Sequence, residues 1–160
     1  MQPRIDFRQT APGAMQTMLA LQSYVNNSGL PESLLELVKI RASQINACAY
    51  CLDMHTKDAR ANSESEQRIY ALNAWRETPF FNDRERAALA WTESLTLLTE
   101  GHVSDGVFEE VRCHFSDEEI VNLSMAVVAI NSWNRLLTAF RAVPGEYQPA
   151  HRRSTATAQD

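Results

Sequence analysis

The sequence predicts an all-α fold, a bundle of about six to seven helices in one domain. Apolar residues recur at helical spacing in successive segments, and no stretch alternates apolar and polar residues for long enough to make a hairpin. The 160 residues include only five glycines and six prolines, several placed where helices would end. A chain of this length buries one sizeable core.

The first helix is expected over roughly 12–27, where Met15, Met18, Leu19, Gln22 and Val25 share a face and Gly29 supplies the left-handed stop. Pro31 opens the second at a position that needs no N–H donor, and Leu34, Leu37, Val38 and Ile45 form its apolar stripe. Asn46 is the expected N-cap of a third helix running to about Ala61. Ser63 with Glu66, Asn82 with Glu85, and Ser116 with Glu119 have capping-box spacing, and predict helices that run to about Trp75, Glu100 and Arg141. Ala88, Trp91, Leu95 and Leu98 line one face of the second of these, which Gly101 ends; a short helix is expected over 104–114. The last helix holds "IVNLSMAVVAI", apolar nearly all round, so it is expected to be enclosed on most sides, in part by another subunit. The helical domain is expected to span 1–145. Residues 146–160 lack apolar anchors and read as a disordered tail.

Apolar residues at 44% and charged residues at 22% are ordinary globular composition, and a net charge of -5 argues against a nucleic-acid partner. "MQPRIDFRQTAPG" lacks the apolar stretch of a signal peptide, and no run reaches membrane-spanning length, so a cytoplasmic protein with no membrane partner is expected. In a reducing compartment three cysteines do not suggest a disulfide framework, and a CxxC reads as redox chemistry or half of a metal site.

That CxxC lies in "INACAYCLDMHTKDAR", residues 45–60. At about 100° per residue, Cys48, Cys51, Leu52, His55 and Ala59 fall on one side of a helix. Cys51 and His55 are i,i+4 neighbours, Cys48 and Cys51 i,i+3 neighbours, so two thiols and an imidazole share a face. Reaction with a peroxide needs thiolate, which a helix N-terminus and a nearby imidazole both favour. The resulting sulfenic acid is converted to a disulfide by a neighbouring thiol. Helical neighbours stand ~5–6 Å apart at Cβ and a disulfide prefers ~3.5–4.5 Å, so the bridge is expected to be strained and easily reduced.

Zinc is the rival chemistry, with Cys48, Cys51 and His55 as ligands and Cys113, His114 or His102 as the fourth. Taken singly, Cys113 reads as a small buried apolar residue, diverging from its neighbour His114, and His102 as a loop histidine. Trp75, Trp91 and Trp133 lie within apolar patterns and read as core or subunit contacts. Glu36 lies off the apolar stripe, which by pattern alone is a solvated carboxylate.

The stretch "ELVKIRASQINACAYCLDMHTKDAR" resembles the core of the AhpD-like alkylhydroperoxidases, a branch of the carboxymuconolactone decarboxylase superfamily. That pattern has a glutamate twelve residues before the CxxC and a histidine four after its second cysteine, matched by Glu36, Cys48, Cys51 and His55. The similarity continues through "AWRETPFFNDRERAALAWTESLT" and "NSWNRL", to about Val143. The resemblance implies an all-helical subunit assembled as a homotrimer or homohexamer, reducing alkyl hydroperoxides or hydrogen peroxide. Cys51 would attack the peroxide, Cys48 would resolve the sulfenic acid, and His55 with Glu36 would relay protons. No cofactor or metal is implied, and the reductant would be a dithiol, a lipoylated or thioredoxin-like protein. Some members carry histidine where this chain has Tyr50, which on a regular helix points away from the Cys51 face, so packing or an interface hydrogen bond is its expected part. The decarboxylating branch works without the CxxC; a redox-sensing adaptor would use the same thiol switch without turnover.

Overall fold

The computed structural model describes residues 2–149, and among them the regular structure is helical throughout. α1 (Phe7–Thr10) is a single turn that the periodicity did not mark. α2 (Pro12–Asn26), α3 (Glu32–Ile45) and α4 (Ala49–Ala61) follow, then α5 (Glu66–Ala71), which tightens into a 3₁₀ turn (Leu72–Glu77). α6 (Asp83–Thr96), α7 (Asp105–Arg112) and α8 (Asp117–Ala139) complete the bundle, all-helical as expected, with eight α-helices among the described residues. None of these helices is long and apolar enough to cross a membrane.

α3 is the central element, packed against α4, α6 and α8. It buries an unbroken run of residues on every side, Leu34 to Ile40, with Ala42 and Ser43. One apolar cluster joins its Leu34 and Val38 to Val25, Trp91, Leu123 and Val127; a second joins Leu37 and Ile40 to Leu72, Trp75 and Leu89. Each such side chain taken from water contributes about 1.5–3 kcal/mol, so burial on two opposite sides fixes α3 firmly. α8, expected to be enclosed on most sides and in part by another subunit, buries Ile120, Leu123, Val127 and Ile130 within the chain and leaves Val121 58% and Val128 49% exposed on it. A third, smaller cluster gathers Ala42, Cys48, Cys51, Ile130 and Leu137, with Tyr50 and Trp133 packed against it.

The capping boxes at Asn82/Glu85 and Ser116/Glu119 form as expected, each side chain accepting from the other residue's backbone N–H. The expected box at Ser63/Glu66 does not. Ser63 instead ends α4 in the left-handed region at φ 70°, and Ser65 caps α5, accepting from the Arg68 N–H at 3.2 Å. Three helices stop short of their expected ends: α5 gives way at Ala71, α6 at Thr96, and α8 at Ala139, after which Arg141 turns left-handed at φ 55°. Near the boundary expected at residue 145 the chain crosses α4, with Gly145 and Tyr147 hydrogen-bonded to Asp53, Lys57 and Asp58. Residues 150–160, the remainder of the expected tail, lie outside the described residues.

Candidate active site

The corner between α3 and α4 sets the site. Asn46, the expected N-cap of α4, is the C-cap of α3, and its Nδ2 donates to the side-chain oxygens of Asn131 at 3.0 Å and Asn134 at 2.9 Å on α8. Ala47 takes the turn at φ 52°, a left-handed conformation that costs a non-glycine residue about 1–2 kcal/mol. Cys48 is then the N-cap of α4, in extended conformation, its Sγ accepting from the Cys51 N–H at 3.4 Å.

Cys48 and Cys51 are joined as a disulfide with their Cα atoms 5.4 Å apart, inside the ordinary range of about 4.4–6.8 Å. Because Cys48 stands outside the helix, the in-helix spacing from which strain was expected does not describe this pair. Both residues are buried, at 1% and 0% exposed, yet Cys51 lines a cavity of about 610 Å³ that Cys48 does not line.

One turn along α4, His55 is buried, with Nδ1 2.9 Å from Glu36 Oε2. The other oxygen of Glu36 accepts from Lys39 Nζ at 2.7 Å. Glu36 is therefore no solvated carboxylate: it is 4% exposed, because α3 has no solvent side for an off-stripe residue to occupy. Burial by itself would raise its pKa, but the hydrogen bond and charge of His55, with those of Lys39, outweigh that and hold the carboxyl below its ordinary value. An ionised carboxylate only accepts, so Nδ1 of His55 donates to it and Nε2 is left as the ring nitrogen not held by Glu36.

Residues 12–94 match the carboxymuconolactone decarboxylase family. The chain belongs to that family. YdfG of Bacillus subtilis, an uncharacterized protein, is 42% identical over 139 residues, covering 87% of this chain and 95% of YdfG. The crystal structure of ATU0492 from Agrobacterium tumefaciens, a protein of unknown function suggested to be an AhpD antioxidant defence protein, superposes with a TM-score of 0.88 at 42% identity, covering 91% of this chain and all of that one. The debrominase Bmp8 shares the fold, with a TM-score of 0.78 at 19% identity over 86% of this chain and 74% of its own. The all-helical architecture is thus the AhpD-like one.

In this member of the carboxymuconolactone decarboxylase family the four motif residues converge: Glu36, Cys51 and His55 line one cavity, and Cys48 is bonded to Cys51 behind it. Met54, Trp133 and Leu137 add apolar wall, and Trp133 Nε1 donates to Gln22 Oε1 at 3.1 Å. Tyr50, expected to point away, also lines the cavity, which is wide enough to span adjacent helical positions. Sequence reasoning missed Lys39, Asp58 and Tyr147, which line the same space. Lys39 is i+3 from Glu36 and Asp58 i+3 from His55, spacings that could have flagged them; nothing local marks Tyr147.

Among the described residues the one His/Cys/Asp/Glu grouping with metal-ligand proximity is Glu36, His55 and Asp58, with ligand atoms within 4.8 Å of one another. Both oxygens of Glu36 are already engaged by His55 and Lys39, and Asp58 Oδ1 accepts from the Tyr147 hydroxyl, so the arrangement is an ion-pair network with its own cation. The zinc set does not converge. Cys113 is exposed at the C-cap of α7 rather than buried, His102 lies exposed in the loop before α7, and the Cys48 and Cys51 sulfurs are bonded to each other.

Proposed function

We propose that the protein is a thiol-dependent peroxidase that reduces small organic hydroperoxides or hydrogen peroxide. The single observation that carries this reading is that Cys51 faces a cavity while Cys48 sits behind it, with an imidazole anchored by a buried carboxylate one helical turn away. In the reduced protein His55 Nε2 takes the Cys51 proton, and the position of Cys51 at the start of α4 further favours the thiolate. The thiolate attacks the outer oxygen of R–O–O–H; the O–O bond breaks, RO⁻ takes the proton from His55, and Cys51 becomes a sulfenic acid. The Cys48 thiol attacks Cys51 Sγ; its S–H bond and the S–OH bond break, the proton and hydroxide leave together as water, and the disulfide forms. A dithiol, lipoylated or thioredoxin-like, restores both thiols and is itself oxidised. Assembly as a homotrimer or homohexamer belongs to the same reading.

The test is turnover of cumene hydroperoxide with dithiothreitol, together with mass spectrometry of the reduced protein after one equivalent of peroxide. Cys51→Ser should consume none, whereas Cys48→Ser should consume about one equivalent and stall as sulfenic acid. Retained turnover in Cys51→Ser reverses the two sulfurs. One stoichiometric oxidation of the wild type without turnover makes the pair a sensor instead.

A further inference from the structure

Beyond α8 the chain forms a strap over α4. The Gly145 N–H donates to Asp53 Oδ2 at 3.0 Å, and Lys57 Nζ donates to the carbonyls of Gly145 at 3.3 Å and Tyr147 at 3.0 Å. Asp53 and Lys57 are themselves paired at 2.9 Å, so four residues of two segments close one clamp. The clamp sets Tyr147 into the cavity wall, where its hydroxyl donates to Asp58 Oδ1 at 2.7 Å. Asp58 lies one turn beyond His55, close to both His55 and Glu36. The proposed reaction gives neither Asp58 nor Tyr147 a part.

We infer that Asp58, aimed by the strap residue Tyr147, is a positioning residue for the Cys51–His55 pair: with Glu36 it holds the imidazolium that forms when Cys51 gives up its proton. This rests on the reading of His55 as the base for Cys51. In the step concerned the Cys51 S–H bond breaks and an N–H bond forms at His55 Nε2; no electron leaves the protein. The Asp58 carboxylate opposes the thiolate as well as attracting the imidazolium, and distance decides which effect wins. Cys51 and Asp58 are seven residues apart on one helix, about 10 Å by its rise, whereas Asp58 has an oxygen within 4.8 Å of the imidazole. The attraction therefore dominates.

Other charged or titratable groups line the same cavity as this carboxylate. α3 contributes Glu36 and Lys39, paired with each other, and Glu32, which accepts from Asn62 Nδ2; α4 contributes Tyr50, and α1 contributes Arg8 at the cavity wall. α8 offers Trp133 and Leu137, which carry no charge. Burial raises the Asp58 carboxyl above its ordinary range, the Tyr147 hydroxyl draws it back, Glu36 raises it, and His55 and Lys39 lower it. Without the Tyr147 hydroxyl, the Asp58 carboxylate loses the hydrogen bond that fixes its orientation beside the imidazole, and it supports the imidazolium less well.

The experiment follows alkylation of Cys51 by iodoacetamide against pH in the fully reduced full chain, each cysteine being resolved by mass spectrometry. The midpoint for Cys51 should rise by about one unit in Asp58→Asn, the size expected for loss of one nearby opposite charge. Tyr147→Phe should raise it by a smaller step, and should add nothing in an Asp58→Asn background. An unmoved midpoint in Asp58→Asn overturns the inference, as does a Tyr147→Phe shift that survives at full size in that background. Should Asp58→Asn fail to fold, Tyr147→Phe alone decides, since a purely structural hydroxyl would leave the midpoint where it was. The readout needs no peroxide: a shifted midpoint without wild-type turnover removes the peroxidase reading and keeps this one, and turnover with unmoved midpoints does the reverse.

Discussion

Replacing Glu36 with glutamine removes the anion from a cluster whose members are withheld from water. The Lys39 and Glu36 side chains are 8% and 5% exposed, and lie 2.7 Å apart. In Glu36→Gln the amide oxygen can still accept from His55 Nδ1, but the Lys39 ammonium is left buried against a neutral group. Breaking a buried pair by removing one partner costs about 3–5 kcal/mol, mostly the penalty of the stranded charge. At about 2–4 °C per kcal/mol for a domain of this size, the melting temperature should fall by roughly 6–20 °C. Much of that loss should return when Lys39→Met is added, since no charge is then stranded. Thermal unfolding followed by circular dichroism at pH 7 on the wild type, both single variants and the double variant completes the cycle. The Glu36 carboxyl is held below its ordinary value of 4.5 in the folded protein. Its contribution is therefore complete above that value and lost as pH falls through the lower folded one, so the gap between wild type and Glu36→Gln should close in acid. A Glu36→Gln protein as stable as the wild type, or a double variant weaker than Glu36→Gln, would refute the reasoning.

Two further outcomes follow from the same structure. The native oxidised protein should offer Ellman's reagent one thiol, the exposed Cys113, and three after denaturation and reduction; two or more in the native state would mean the bridge is absent. Ser65→Ala should lower stability by about 1 kcal/mol in urea unfolding through loss of the α5 cap, while Ser63→Ala should cost far less; the reverse order would return the cap to Ser63.

Helix starts were legible wherever the deciding chemistry is local. At Asn82 and Ser116 the cap and its partner three residues on are the whole interaction, so the spacing alone suffices. Ser63 failed because Ser65 competes with it, and the choice is made by how α4 ends. Asn46 failed because its amide finds Asn131 and Asn134, 85 and 88 residues away, which no local rule anticipates. Of the candidate site, the CxxCxxxH face and its glutamate were visible as spacing. The burial of Glu36 was not, since an apolar stripe implies an opposite side in water that α3 lacks. Cys113, read as buried, caps the C-terminus of the short helix α7, where a small residue meets solvent. Tyr147 reaches Asp58 across 89 residues, and only the folded chain brings them together.

Cys48 has a mechanical duty as well as a chemical one, because its sulfur terminates the α4 amide ladder. Alanine and serine are consequently not interchangeable tools at this position: serine retains an acceptor for the Cys51 N–H, whereas alanine leaves that amide bare and loosens the first coil beneath Cys51. A defect seen with alanine but spared by serine belongs to the scaffold, and one common to both belongs to the sulfur.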